Sequence, residues 1–140
     1  MSVYLDASAL VALFTDDALT ARADKFLRAH APVVVVSDFA AAEFASAIAR
    51  RVRMGEIAAG GARRTFSIFD AWTARASERA PTTSADVVSA AAYLRRLDLT
   101  LRTPDALNIA IAQRTGADLL TFDDKMAASA RALGTTVLAG

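Results

Sequence analysis

The chain has no cysteine and a single histidine, His30. Without thiols it can form no disulfide, no thiolate zinc site and no cysteine nucleophile. A lone imidazole excludes the paired histidines of metal-free ribonucleases and most histidine-rich metal centres. Charge of one sign is lacking too: 16 Lys and Arg face 15 Asp and Glu, leaving a formal charge of +1, which does not by itself advertise a polyanionic partner. No apolar run approaches the roughly 18 residues of a membrane-crossing helix. No basic segment leads into an apolar stretch at the start, as a secretory signal would. Repeats, linkers and low-complexity segments are also missing. These absences point to a soluble cytoplasmic protein with no membrane partner.

What is present is apolar and periodic. The hydrophobic fraction of 54% exceeds the usual ~45–50%, enough for a full core and an apolar partner surface. At 140 residues the chain predicts one domain, 1–140. Short apolar runs at 3–5, 33–36, 119–122 and 136–138 read as strands buried on both faces. Amphipathic helices are expected at 8–14, 19–29, 39–53, 57–78, 85–97, 104–115 and 125–133. Residues 80–84 hold a candidate further strand that Pro81 disfavours, and Gly60-Gly61 is a candidate break in the fourth helix. Alternation of this kind predicts an α/β fold, a three-layer αβα sandwich around a short, mainly parallel central sheet.

Four acidic residues fall where strands stop or helices begin. Asp6 closes the first strand, Glu43 lies in the helix after the second, Asp105 opens the helix announced by Thr103-Pro104, and Asp123 follows Leu119-Leu120-Thr121-Phe122. In an open parallel sheet such positions face one crevice. Four carboxylates gathered there repel one another unless a hard divalent cation joins them. Each acid also has an ordinary structural duty open to it. Asp6 can cap the helix from Ala7 onward, as Ser8 equally can. Glu43 lies off the Phe44, Ile48 and Val52 stripe and can be a solvated glutamate near Arg50. Thr103-Pro104-Asp105 reads as N-cap, N1 and N2, and Asp123 with Asp124 can simply open the last helix. Asn108, one turn beyond Asp105, can donate to a neighbouring carboxylate or phosphate. Thr121 shares a strand face with Asp123 and can support a metal-bound water. Asp16, Asp17, Asp24, Asp38, Asp70, Asp86 and Asp98 fall in loops or on polar helix faces and receive no catalytic role.

The segments Val3-Tyr4-Leu5-Asp6-Ala7-Ser8-Ala9-Leu10, the isolated Glu43, Thr103-Pro104-Asp105-Ala106-Leu107-Asn108-Ile109-Ala110 and Leu120-Thr121-Phe122-Asp123 together resemble a PIN domain of the VapC toxin ribonuclease type. The likeness runs through essentially the whole chain, in order. By that resemblance Asp6, Glu43, Asp105 and Asp123 match the family's acidic quartet, and Ser8 its frequent small polar neighbour. Asn108 departs from the histidine common at its position. The resemblance implies a Mg²⁺- or Mn²⁺-dependent endoribonuclease that hydrolyses RNA through a metal-activated water. It further implies a homodimeric toxin silenced by a VapB-type antitoxin. Asp6 and Asp105 would bind the ion most directly, Asp123 directly or through water, with Glu43 at the outer edge.

RNA needs cations beside the acidic pocket. Arg50, Arg51 and Arg53 are the first candidates, with Arg63 and Arg64 beyond the turn at Gly55 and Arg95, Arg96 and Arg102 ahead of Asp105. Phe66, Phe69 and Trp72 form an aromatic stripe whose default reading is core packing. The resemblance adds a second reading, a groove for an antitoxin helix between the third and fourth helices. Among other classes, a signalling receiver needs an acidic pair after its first strand, where Asp6 stands alone. A haloacid-type phosphatase needs a second aspartate where Ser8 stands. A catalytically silent PIN-like module that binds RNA or protein is the remaining alternative.

Overall fold

A computed structural model describes residues 1–138. Five strands form one sheet: β1 (Ser2–Leu5), β2 (Val33–Ser37), β3 (Ser77–Ala80), β4 (Asp118–Leu120) and β5 (Val137–Leu138). Their order is β3-β2-β1-β4-β5, and every pairing is parallel. Seven helices flank the sheet: α1 (Ala7–Phe14), α2 (Thr20–His30), α3 (Asp38–Arg53), α4 (Ala59–Ala76), α5 (Ser84–Leu94), α6 (Thr103–Arg114) and α7 (Asp124–Ala132). The expected αβα architecture is therefore observed, with a sheet that is wholly rather than mainly parallel.

β1 is central because it is apolar on both faces; Val3, Tyr4 and Leu5 have no exposed surface, and each such side chain contributes about 1.5–3 kcal/mol by leaving water. From β1 the chain adds β2 and β3 on one side, then returns to add β4 and β5 on the other. This reversal opens a crevice at the carboxyl ends of β1 and β4, the usual place for a ligand site in such sheets.

Several local expectations are corrected. The third strand lies at Ser77–Ala80 rather than at 80–84, because Pro81 cannot donate to a ladder. β3 is an edge, with Glu78 and Arg79 exposed, a charge placement that discourages edge-to-edge pairing. α4 starts at Ala59, so Gly60 and Gly61 lie in its first turn and do not break it. The aromatic stripe of α4 is core: Phe14 meets Phe69 and Trp72 edge-on at 5.3 and 5.2 Å, and Phe44 stacks on Phe69 at 4.5 Å.

Asp86, read as a surface residue, is 1% exposed. It accepts a bidentate pair from Arg114 (2.7 and 3.1 Å) and the backbone N–H of Thr83 (2.8 Å). Burial pushes its carboxyl pKa up, but these hydrogen bonds and the guanidinium charge outweigh it and hold the group below the usual range. The pair pins the start of α5 to the end of α6, whose other end carries the candidate site.

Candidate active site

Asp6, Glu43, Asp105 and Asp123 line one cleft of about 270 Å³, together with Ala7, Ser8, Arg102, Pro104, Asn108 and Met126. The four acids come from separate regions of the chain, and each is oriented by a backbone or side-chain donor. Asp6 is the N-cap of α1, accepting from Ala9 N–H at 3.0 Å. The Ser8 hydroxyl donates to the same oxygen, Oδ1, at 2.7 Å, while Thr121 donates to Oδ2 at 2.5 Å. Ser8 in turn accepts from Phe122 N–H at 2.9 Å, and Thr121 from Asp123 N–H at 3.1 Å. These two hydroxyls therefore stitch the end of β1 to the loop after β4. Thr121 acts on Asp6 directly rather than from the face of Asp123.

Asp105 is the third residue of α6, not the second, because the N-cap is Arg102. One of its oxygens, Oδ2, accepts from Arg102 N–H at 3.2 Å. Asp123 caps α7, its Oδ1 accepting from Met126 N–H at 3.1 Å. Glu43 is half-buried rather than solvated. Its Oε1 accepts from Asn108 Nδ2 at 2.7 Å, and the same amide donates to Pro104 O at 3.0 Å. The capping duties read from the sequence are thus real for Asp6 and Asp123, and Asp105 takes a backbone donor from N3 instead of the expected N2, yet none of these bonds consumes the whole carboxylate. A carboxylate offers about four acceptor positions, and Asp6 uses three of them.

Burial dominates the electrostatics of the cleft, and repulsion between the acids adds to it. Burial raises the pKa of Asp6, and the charge of Asp123 adds to it, against hydrogen bonds from Thr121, Ser8 and Ala9. Burial also raises Glu43, as do the charges of Asp6 and Asp105, while the Asn108 bond opposes them. Arg102 is the one basic side chain lining the cleft among the described residues. Among those residues no three His, Cys, Asp or Glu side chains stand ready to hold a metal ion; the quartet shares a cleft without converging on one point. The donor set itself is all oxygen and net anionic, which fits a hard cation of the Mg²⁺ or Mn²⁺ kind and not a soft one.

A wider groove of about 830 Å³ continues from the cleft, sharing Ala7, Glu43, Arg102 and Pro104 and reaching Arg50, Arg51 and Arg53 along α3. Its walls are α1, α3 and the start of α6. Arg51 lies 3.9 Å from Asp17, whereas Arg50, Arg53 and Arg102 form no ion pair among the described residues. One site contributor was missed in the sequence. The buried Tyr4 hydroxyl donates to Asn108 Oδ1. Its signal was its place two residues before Asp6, on the same face of β1.

The sequence model of the PIN domain matches residues 3–132. The chain belongs to the PIN domain family. This PIN domain is 35% identical to Ribonuclease VapC46 of Mycobacterium tuberculosis over 141 aligned residues, covering 99% of the chain and 97% of the relative. Its fold is similar to that of M. tuberculosis VapC20, described as a sarcin-ricin loop cleaving toxin, with a TM-score of 0.76, 20% identity and 99% of each chain covered. It is also similar to VapBC2 from Rickettsia felis, solved with a promoter DNA fragment (TM-score 0.69, 14% identity, 99% and 98% covered). At those identities the solved structures support the fold alone.

Proposed function

We propose that this PIN domain is a Mg²⁺- or Mn²⁺-dependent endoribonuclease and the toxin of a toxin–antitoxin pair. The observation that carries the reading is the meeting of Asp6, Glu43, Asp105 and Asp123 in one cleft at the switch point of the sheet. The ribonuclease name of the 35%-identical relative supports the substrate class. Asp6, Asp105 and Asp123 would hold the ion, with Glu43 beside it. A bound ion supplies positive charge that offsets the carboxylates and stabilises the charge developing on the phosphate. The chain's own part is orientation: Ser8, Thr121 and Ala9 N–H fix Asp6, Arg102 N–H fixes Asp105, Met126 N–H fixes Asp123, and Asn108 fixes Glu43. Arg50, Arg53 and Arg102 grip RNA phosphates along the groove, while the Arg51 guanidinium is paired with Asp17.

The test is cleavage of total RNA by purified protein with and without divalent cation. Wild type should cut only with the ion. Asp6→Asn and Asp105→Asn should each lose at least about 100-fold, the scale seen when one charge-stabilising group leaves a site. Products should end in 3′-hydroxyl groups, because attack by water leaves the 2′-hydroxyl uninvolved. Cyclic 2′,3′-phosphate ends would overturn the hydrolytic mechanism, and full activity in Asp6→Asn would overturn the site. A VapB-type antitoxin, in keeping with the toxin–antitoxin assemblies among the structural neighbours, and a homodimer complete the proposal. Sizing the protein alone and co-expressed with the product of the adjacent gene checks both.

A further inference from the structure

Tyr4 is the largest side chain with no exposed surface among the described residues, and its hydroxyl touches neither the ion-binding acids nor the groove arginines. A buried phenol needs partners, and this one has two: Ser37 Oγ at 2.6 Å and Asn108 Oδ1. The proton directions follow from the neighbours. Pro104 O can only accept, so the Asn108 amide turns Nδ2 toward it at 3.0 Å and toward Glu43 Oε1 at 2.7 Å. Oδ1 then faces the phenol and takes the single Tyr4 proton. Ser37 Oγ, which accepts from Ala40 N–H at 2.9 Å as the N-cap of α3, therefore gives its own proton to the Tyr4 oxygen. A flipped amide would set its oxygen against both of those acceptors and its NH₂ against a phenol already supplied with a donor.

We infer that Ser37, Tyr4 and Asn108 form a one-way hydrogen-bond relay that positions Glu43 in the cleft, with Tyr4 a positioning residue for the reaction rather than only a core side chain. The relay leaves α3 at its cap, crosses β1, passes through α6 and returns to α3 six residues along, so the carboxylate is referenced to the centre of the sheet. A long, half-buried glutamate side chain would otherwise sample several rotamers. Burial raises the Tyr4 pKa, so the phenol keeps its proton, and its donor role, throughout the neutral range.

The inference rests on the ribonuclease reading for its activity arm and is tested in two independent ways. In RNA cleavage, Tyr4→Phe should lower kcat about tenfold with little change in KM, the scale of one lost orienting hydrogen bond. Asn108→Asp keeps the acceptor toward Tyr4 but sets a second carboxyl against Glu43, and it should lower kcat at least as far. The deciding comparison is the double variant: Tyr4→Phe in a Glu43→Ala background should cost nothing further, because the relay then has nothing to position. A further tenfold loss there would overturn the inference. The second arm reads the Asn108 carboxamide protons by NMR. Tyr4→Phe and Glu43→Ala should each move them, while Tyr93→Phe, which touches Gln113, should not. Unmoved resonances in both cleft variants would sink the relay outright. If wild type cuts no RNA, the ribonuclease reading fails while the NMR arm still decides.

Discussion

Asp6 serves the fold and the proposed chemistry with opposite effects on stability. As an N-cap it satisfies a helix donor; as a buried acid beside Asp123 it has a raised pKa. The folded state therefore keeps the Asp6 proton to a higher pH than the unfolded chain does. Linkage then makes this residue's contribution fall as pH rises from the unfolded value, near ~3.9, through the folded one. Asparagine caps as well as aspartate and carries no charge. Without added metal, Asp6→Asn should therefore melt at or above the wild-type temperature at pH 7, with the difference shrinking toward pH 4, even though activity is lost. Calorimetry across that range checks it, and a lower melting temperature at pH 7 would contradict the electrostatic account. Glu43 has a raised pKa for the same leading reason, burial. The donor role open to Asn108 in the sequence is met here by Glu43, though nothing local to either residue says which carboxylate receives it.

At the scale of elements, most strands and helices announce themselves, and the shifts have local causes. The strand ending at Ala80 is set by Pro81, and the start of α6 by Pro104, which sits one position deeper than Pro at N1 would. Gly60 and Gly61 are a separate case. They sit in the first turn of α4, without left-handed backbone, and the space a methyl group would fill at either is open to 4 Å. Neither bend nor close approach requires glycine there. Gly60→Ala and Gly61→Ala should each stabilise the fold by roughly 0.4–1 kcal/mol, by narrowing the unfolded ensemble. Urea midpoints would show this, and a loss would mean that the N-terminus of α4 meets something outside this chain. Asp86 is the opposite lesson. Its Thr83-x-x-Asp86 spacing is a capping box, but its bidentate partner Arg114 is 28 residues away, and no local pattern names it.

For the whole molecule the formal charge is +1, and what matters is where the charge lies. Acids occupy the cleft, and Arg50, Arg53 and Arg102 line the groove that leaves it. Single-stranded RNA binding should weaken with salt, the logarithmic slope falling by about 0.7 for each phosphate contact removed. Replacing Arg50 and Arg53 together by glutamine should flatten the slope by about 1.4. Arg51→Gln, with its side chain tied toward Asp17, should flatten it less. Equal slopes for wild type and the double variant, measured by fluorescence anisotropy across a salt series, would remove the groove as the RNA path.

The order of apolar strands and amphipathic helices, the acidic quartet and the family motifs were all legible in the chain. They depend on local periodicity and on short segments whose residue types rarely occur together in that order. The tertiary structure decided the rest. It set the wholly parallel order with β1 at the centre, and it placed Glu43 beside Asn108. It also revealed the Tyr4 relay and the partition of the arginines between groove and ion pair. Those features join residues tens of positions apart through strand pairing, an ion pair and single hydrogen bonds, and such long-range contacts leave no periodic trace in a sequence.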